Sequence, residues 1–339
     1  MITRTAVSWH TEDWQKALSN SIRSLESLFE WLELPLDPQS RLRQAHAQFP
    51  VRVPRGYLEK IVKGDSKDPL LLQILPTQEE LESHEGFVVD PLQERNSNPQ
   101  QGLLHKYQNR VLLVLSGACG VNCRYCFRRH FPYSENQLSE DLLTRIHHYI
   151  DQRPQLNEVI LSGGDPLVLS NVRLAKLLNL IESIPHVKRV RIHSRMPVVI
   201  PQRVDKGLLS LLAGSDLQRV LVTHINHPRE MDGLFDQAMG ALQEAGVTLL
   251  NQSVLLRGVN DQWPVLADLS ERLFEAGVMP YYLHLLDPVA GAAHFDVTES
   301  EARDIMARLH RTLPGFLLPR LVREVADRPG KTPIDLNLS

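Results

Sequence analysis

Cysteine is scarce in this chain: three among 339 residues, all between positions 119 and 126. Three thiols so close together are too few for a disulfide framework, so they are expected to stay reduced and to act as ligands or reactive groups. Long apolar runs are missing too. No stretch approaches the about 18 apolar residues of a membrane helix, and the opening run Met1–Gln15 (MITRTAVSWHTEDWQ) lacks the apolar segment of a secretion signal. The expectation is a cytoplasmic protein with no membrane partner. Nor is there an excess of charge of one sign. Its 37 Lys and Arg stand against 40 Asp and Glu, for a net charge of −3. Binding a phosphate backbone needs a basic excess, so nucleic acid is not an expected partner. What is present is apolar: 42% of residues, enough at this length for one large core or two modest ones.

Three regions follow along the chain. Residues 1–105 mix helical stretches (Ser21–Glu33, Gln39–Phe49) with Pro-rich and polar connectors, and read as a mainly helical N-terminal region. Residues 106–315 alternate six strand candidates (Val111–Ser116, Glu158–Ser162, Arg189–His193, Arg219–Thr223, Val247–Val254, Tyr281–Leu286) with six amphipathic stretches (Leu138–Ile150, Val172–Ser183, Val204–Leu212, Met231–Ala245, Trp263–Ala276, Glu299–Leu313). Such alternation predicts parallel βα units, as an open doubly wound sheet or an incomplete (βα) barrel. Either way the chemistry gathers at the C-terminal ends of the strands, where Cys119, Gly163–Asp165, His193–Arg195, His224, Gln252 and Asp287 fall. Residues 316–339 read as a tail folded onto the barrel.

The run Cys119-Gly-Val-Asn-Cys123-Arg-Tyr-Cys126 has the spacing C-x3-C-x2-C directly after a predicted strand, so one loop can present three thiolates to one metal centre. A [4Fe–4S] cubane wants four ligands; three leave one iron open to an external chelator such as an amino acid's amine and carboxylate. The competing reading is a Cys3His zinc site completed by His130, although zinc motifs usually pair two separated CxxC units.

This spacing, followed by Leu161-Ser162-Gly163-Gly164-Asp165-Pro, resembles the radical SAM superfamily, whose fold is a six-unit partial (βα) barrel. The resemblance implies that S-adenosylmethionine (SAM) chelates the open iron and that Ser162, Gly163, Gly164 and Asp165 line its amino group. Glycines permit close backbone approach, and a carboxylate accepts from an ammonium. Over residues 85–335 the resemblance narrows to the lysine 2,3-aminomutase family. It is carried by Asn109-Arg110-Val-Leu-Leu-Val, Cys126-Phe-Arg128-Arg129-His130-Phe131, Ile192-His-Ser-Arg195-Met-Pro, Thr223-His-Ile-Asn-His227-Pro and Asn251-Gln252-Ser-Val-Leu-Leu-Arg257-Gly-Val-Asn-Asp261. Such enzymes cleave SAM reductively to a radical that takes hydrogen from the β-carbon of lysine held on pyridoxal phosphate (PLP), and the amine moves from carbon 2 to carbon 3.

The same resemblance implies the remaining roles. Lys331, in Arg328-Pro-Gly330-Lys331-Thr-Pro, is the PLP lysine, although the family's glycine run is reduced here to one glycine. Lys106, Arg110 and Arg195 match cations of the PLP phosphate, and Arg128 matches the clamp on the substrate carboxylate. Asp287 matches the first carboxylate for the distant ammonium, which selects lysine over glutamate as substrate; Glu324 or Asp327 matches the second. His224 and Gln252 match positions near SAM and PLP. Gly330-Lys331-Thr-Pro-Ile-Asp-Leu336 and the short chain resemble the elongation factor P-associated branch, in which a synthetase-like ligase attaches (R)-β-lysine to that factor. Expected partners are therefore L-lysine, a reductant protein such as flavodoxin and a second copy of the chain. Two alternatives keep the cluster: an aminomutase acting on another amino acid or in lysine metabolism, and a radical SAM protein without PLP. A third is a zinc-binding interaction protein.

Overall fold

The computed structural model describes residues 13–336 apart from 38, 134–138, 327 and 329. Among the described residues nine strands form one sheet: β1 (Leu103–Tyr107), β2 (Arg110–Val114), β3 (Glu158–Ser162), β4 (Arg189–Ser194), β5 (Gln218–Thr223), β6 (Thr248–Val254), β7 (Met279–His284), β8 (Arg320–Arg323) and β9 (Thr332–Pro333). Their spatial order is their chain order. β2 to β8 pair in parallel, while β1 and β9 add antiparallel edges. That order decides between the two architectures. A doubly wound sheet reverses direction at a switch point, whereas here each strand lies beside its neighbour in sequence. With no pairing of β9 to β1 among the described residues, the arc is an unclosed barrel.

Helices Glu140–Asp151, Asn171–Glu182, Lys206–Ala213, Gly233–Glu244, Trp263–Glu275 and Glu299–Thr312 return the chain between strands. Five start on a side chain that accepts a first-turn N–H: Ser139, Ser170, Asp205, Asp232 and Thr298. Leu142, Ile146 and Ile150 show the four-residue spacing that turns one face to the sheet. Every residue of β3 is buried, as expected of a strand covered on both faces. Its one charge, Glu158, is met by Arg191 at 2.6 Å.

The two flanking regions join this body. Leu28, Leu32, Tyr57, Leu70 and Ile74 of the N-terminal region belong to the same apolar core as Val111, Val159 and Val190 of the barrel. The sheet begins at Leu103, inside the region read as helical, and the tail contributes β8 and β9. Val88 pairs with Val289, which lays the N-terminal region along the segment after β7.

Candidate active site

The three cysteines lie on the loop that leaves β2, and that loop is held from both sides. From the barrel side, the turn after β3 fixes it: Gly164 N donates to the Ser116 carbonyl at 2.6 Å and Asp165 N to that of Ala118 at 2.9 Å. A Cβ on Gly164 would lie 2.4 Å from the Ala118 oxygen, and Gly163 sits at φ +115°. Both positions therefore require glycine, and the close approach it permits is to the cysteine loop itself. The Asp165 carboxylate accepts four bonds: Oδ1 from Ser194 Oγ (2.7 Å) and Leu167 N (2.9 Å), Oδ2 from Arg195 N (2.7 Å) and Met196 N (3.0 Å). A carboxylate has about four acceptor sites, so Asp165, placed by resemblance at SAM's amino group, here ties the end of β3 to the end of β4.

From the other side the N-terminal region supplies backbone acceptors and countercharges. Asn122 N donates to the Arg52 carbonyl at 3.0 Å and Arg124 N to that of Gln73 at 2.9 Å. Glu80, fully buried, receives both Arg124, with Nε at 2.8 Å, and Arg129, with Nη2 at 2.6 Å. Arg128 pairs with Glu94: Nε to Oε2 at 2.8 Å, Nη2 to Oε1 at 2.7 Å. Its Nη1 donates to Ser162 Oγ at 3.1 Å, so the proposed substrate clamp touches the first residue of the Ser-Gly-Gly-Asp turn.

The thiols have the environment a metal centre would relieve. Burial, then the charges of the other cysteines, pushes Cys119 well up and Cys126 up to about 11. Bound iron reverses that logic, because a coordinated thiol is deprotonated outright. Cys123 Sγ accepts from Arg195 Nη1 at 2.7 Å, a cation placed to stabilise a thiolate. His130, the fourth ligand of a zinc alternative, instead lies 3.1 Å through Nε2 from the Ala290 carbonyl oxygen. Among the described residues no three Cys, His, Asp or Glu groups converge on a single-ion site; a cubane spreads its ligands over separate corners. Three thiols on one loop fit a [4Fe–4S] cluster with an open iron.

Arg195, matched by resemblance to the PLP phosphate, faces the cluster side. Besides Cys123 it donates to the Tyr125 hydroxyl (2.8 Å), Gln73 Oε1 (2.7 Å) and Glu230 Oε2 (2.7 Å). Lys106 lies on β1 and Arg110 opens β2. Lys331 Nζ donates to Glu324 Oε2 at 2.7 Å, while Glu324 Oε1 accepts from the Tyr107 hydroxyl at 3.0 Å and lies 3.8 Å from Lys106 Nζ. Burial alone would raise Glu324; Lys331, Lys106 and Tyr107 together hold it below its ordinary value. Arg110 stacks 3.8 Å from the centre of the Tyr107 ring. Asp327 lies outside the described residues. The Asp287 carboxylate presents a buried Oδ1 with no hydrogen-bond partner among the described residues, and burial pushes its pKa up to about 7. His224 and Gln252 meet, Nε2 to Nε2, at 3.0 Å, and burial pushes His224 down to about 3, so it is a neutral imidazole at physiological pH. The charges of Lys331 and Arg128 both bear on His224 and His193.

Sequence reasoning did not identify Glu94, Glu230, Gln73 or Tyr125. Glu80 carries a local signal, ending the capping box Thr77-Gln-Glu-Glu80, whereas Glu230 closes the same geometry on His227, which is not the Ser or Thr of that pattern. That pattern announces a helix start, and gives no hint of a buried arginine. Glu94 has no such signal.

A cysteine triad on the loop after the first parallel strand of an open βα arc, with a glycine turn clasping that loop, defines a radical SAM protein, and residues 113–269 match the Radical SAM superfamily. The chain belongs to the L-lysine 2,3-aminomutase family. It is 50% identical over 330 residues to the L-lysine 2,3-aminomutase of Escherichia coli (strain K12), covering 96% of each protein. Identity to that of Haemophilus influenzae is 48% over 321 residues, 95% of each. Identity to that of Clostridium subterminale is 36% over 324 residues, 95% of this chain and 77% of the longer relative.

Proposed function

We propose that this protein is a SAM- and PLP-dependent L-lysine 2,3-aminomutase that forms (R)-β-lysine for modification of elongation factor P. The observation that carries the substrate assignment is Asp287. A buried carboxylate oxygen with no partner among the described residues costs free energy unless a ligand satisfies it, and a cationic side chain does so where a second carboxylate would repel it. The near-full-length similarity to enzymes bearing that name supports the same reading.

When bound, the [4Fe–4S] cluster with SAM supplies a hydrogen-abstracting radical, and PLP supplies the path along which the amine migrates. Cys119, Cys123 and Cys126 would hold the cluster, and Arg195 would stabilise its Cys123 edge. Lys331 would hold PLP, with Lys106 and Arg110 towards its phosphate. Arg128 binds the α-carboxylate and Asp287 the ε-ammonium, which fixes the substrate at both ends and so presents its β-carbon at a set depth. Glu324, which accepts from Lys331 Nζ at 2.7 Å, would be the second carboxylate, beside Asp287, for the substrate's ammonium. His224 and Gln252 remain neutral beside them. The N-terminal region shields the cluster side, in keeping with chemistry that must exclude water. A cytoplasmic setting with a flavodoxin-type reductant fits a thiol-ligated cluster.

The deciding experiment is anaerobic. Protein reconstituted with iron and sulfide is given PLP, SAM, a strong reductant and L-lysine, and products are separated on a chiral column. SAM-dependent β-lysine is expected from the wild type. Lys331→Ala should lose the PLP absorbance and β-lysine while still forming 5′-deoxyadenosine. If 5′-deoxyadenosine appeared without β-lysine in the wild type, the lysine assignment would fall. Mass spectrometry of elongation factor P after addition of its ligase would test the product's destination.

A further inference from the structure

Arg128 is fixed on several sides by the chain. Its Nε and Nη2 meet both oxygens of Glu94 at 2.8 and 2.7 Å. Its Nη1 donates to Ser162 Oγ at 3.1 Å and to the Gly163 carbonyl at 3.4 Å. The Phe127 ring lies 4.8 Å from the guanidinium carbon. Both side chains of the ion pair keep only 7% of their exposure. Glu94 is itself anchored: it opens a one-turn helix, Glu94–Ser97, with its N–H on Asp90 Oδ1 at 3.1 Å. The preceding residue, Gln93, adopts φ +49°, a left-handed backbone that side-chain-bearing residues rarely take and that the surrounding structure must enforce.

We propose that Glu94 is a positioning residue for substrate recognition: it grips the Nε/Nη2 edge of Arg128 while Ser162 and Gly163 hold Nη1, so that the remaining Nη2 N–H is aimed at the α-carboxylate of the amino-acid substrate. The proposal rests on the reading that Arg128 binds that carboxylate. A guanidinium carries five N–H groups; Glu94, Ser162 and Gly163 take four of them, which leaves one on Nη2 to donate a charge-assisted bond to a substrate carboxylate oxygen. The rival role, in which Glu94 merely occupies the clamp until substrate displaces it, requires leaving Glu94 buried without a partner on every binding event, which is costly. A fixed guanidinium also accounts for a partner that is buried and tethered through its own N–H to Asp90, rather than a mobile surface carboxylate.

The two roles predict effects of opposite sign. Binding of L-lysine and of L-lysinamide, which lacks the carboxylate, is measured on PLP-loaded, cluster-reconstituted protein by titrating the PLP absorbance band. Glu94→Ala should weaken L-lysine binding by about tenfold or more, the scale of one charge-assisted hydrogen bond, and leave lysinamide binding unchanged. Glu94→Gln keeps the shape and one acceptor, so it should show the same selectivity with a smaller loss, which guards against a folding defect in the Ala variant. Tighter lysine binding in Glu94→Ala would mean that Glu94 competes with substrate and overturns the proposal. Equal weakening of both ligands would mean a general structural role and overturn it too. Arg128→Ala separates the premise: if it leaves the ratio of lysine to lysinamide affinity unchanged, Arg128 does not bind the carboxylate, and the proposal falls with it.

Discussion

Replacing Asp287 by Asn should stabilise the ligand-free protein and damage lysine binding, both in a pH-dependent way. The carboxyl's ordinary value is 3.8; burial raises it to about 7, helped by Glu324 and Glu94 and opposed by Lys331 and Lys106. Between those two values the folded state holds a proton that the unfolded chain has lost, so stability falls as pH rises through that window and levels off above 7. At about 1.4 kcal/mol per unit the whole effect is about 4 kcal/mol, before screening by the solvent that still reaches the half-buried group. About 2 kcal/mol of it falls between pH 5.5 and 8.5, since only the part from 5.5 to 7 lies inside that interval. Asn never ionises. Relative to wild type, Asp287→Asn should gain up to about 2 kcal/mol more at pH 8.5 than at pH 5.5, seen as a few degrees of extra Tm in anaerobic melts. Lysine binding should run the other way. Wild-type affinity should fall as pH drops below 7 and Asp287 takes a proton, whereas the Asn variant should bind weakly at both pH values with no such step. A Tm difference independent of pH, or a pH step in lysine affinity that survives in Asp287→Asn, would refute the reasoning.

The other perturbations act on the cluster loop. Any one of Cys119, Cys123 or Cys126 changed to Ala leaves two ligands, so bound iron and 5′-deoxyadenosine formation should disappear together; iron retained at the wild-type level would contradict the cluster assignment. Glu80→Ala strips two buried guanidinium groups, Arg124 and Arg129, of a carboxylate they share. It should cost about 3–5 kcal/mol in a denaturant melt and lower iron occupancy. An unchanged melt would show that the pair contributes little to holding the loop. Gly164→Ala drives a Cβ to 2.4 Å from the Ala118 oxygen. It should destabilise the protein by about 1–3 kcal/mol and reduce cluster loading; normal iron content would mean that the loop can shift without consequence.

Much of the barrel was legible because each βα unit repeats a strong local signal. Glu158–Ser162 is the same strand in sequence and structure, and the six helices agree to within about two residues at most ends. β8 and β9 were not legible: two to four residues are too short to show a period, and their place is set by pairing with β7 and with each other. β1 was hidden for a different reason. It pairs with β2 across a tight turn inside a polar, glycine-bearing stretch, where composition reads as connector. In the site, the cysteines could be found because the metal centre demands fixed spacing on one loop. The partners of the arginines could not, because Glu94 lies 34 residues from Arg128 and Gln73 lies 122 from Arg195, and no local pattern encodes a contact at such range.

Those distant partners also explain what the N-terminal region does for the chemistry. The segment from Cys123 to Arg129 carries three arginines beside thiols that must become thiolates, and a fourth, Arg195, reaches into it from the end of β4. Buried cations without partners would cost far more than the loop's own bonds could offset. Glu80 takes Arg124 and Arg129, Glu94 takes Arg128, and Gln73 with Glu230 takes Arg195. All but Glu230 of those acceptors come from residues before β1. The barrel therefore supplies the thiols and the N-terminal region most of the countercharges, so neither forms a complete site alone. Excising residues 13–101 would leave Arg124, Arg128 and Arg129 without these carboxylates next to the cluster. The truncated barrel should then fail to retain iron even if its sheet survives, a combination that iron analysis alongside circular dichroism can detect.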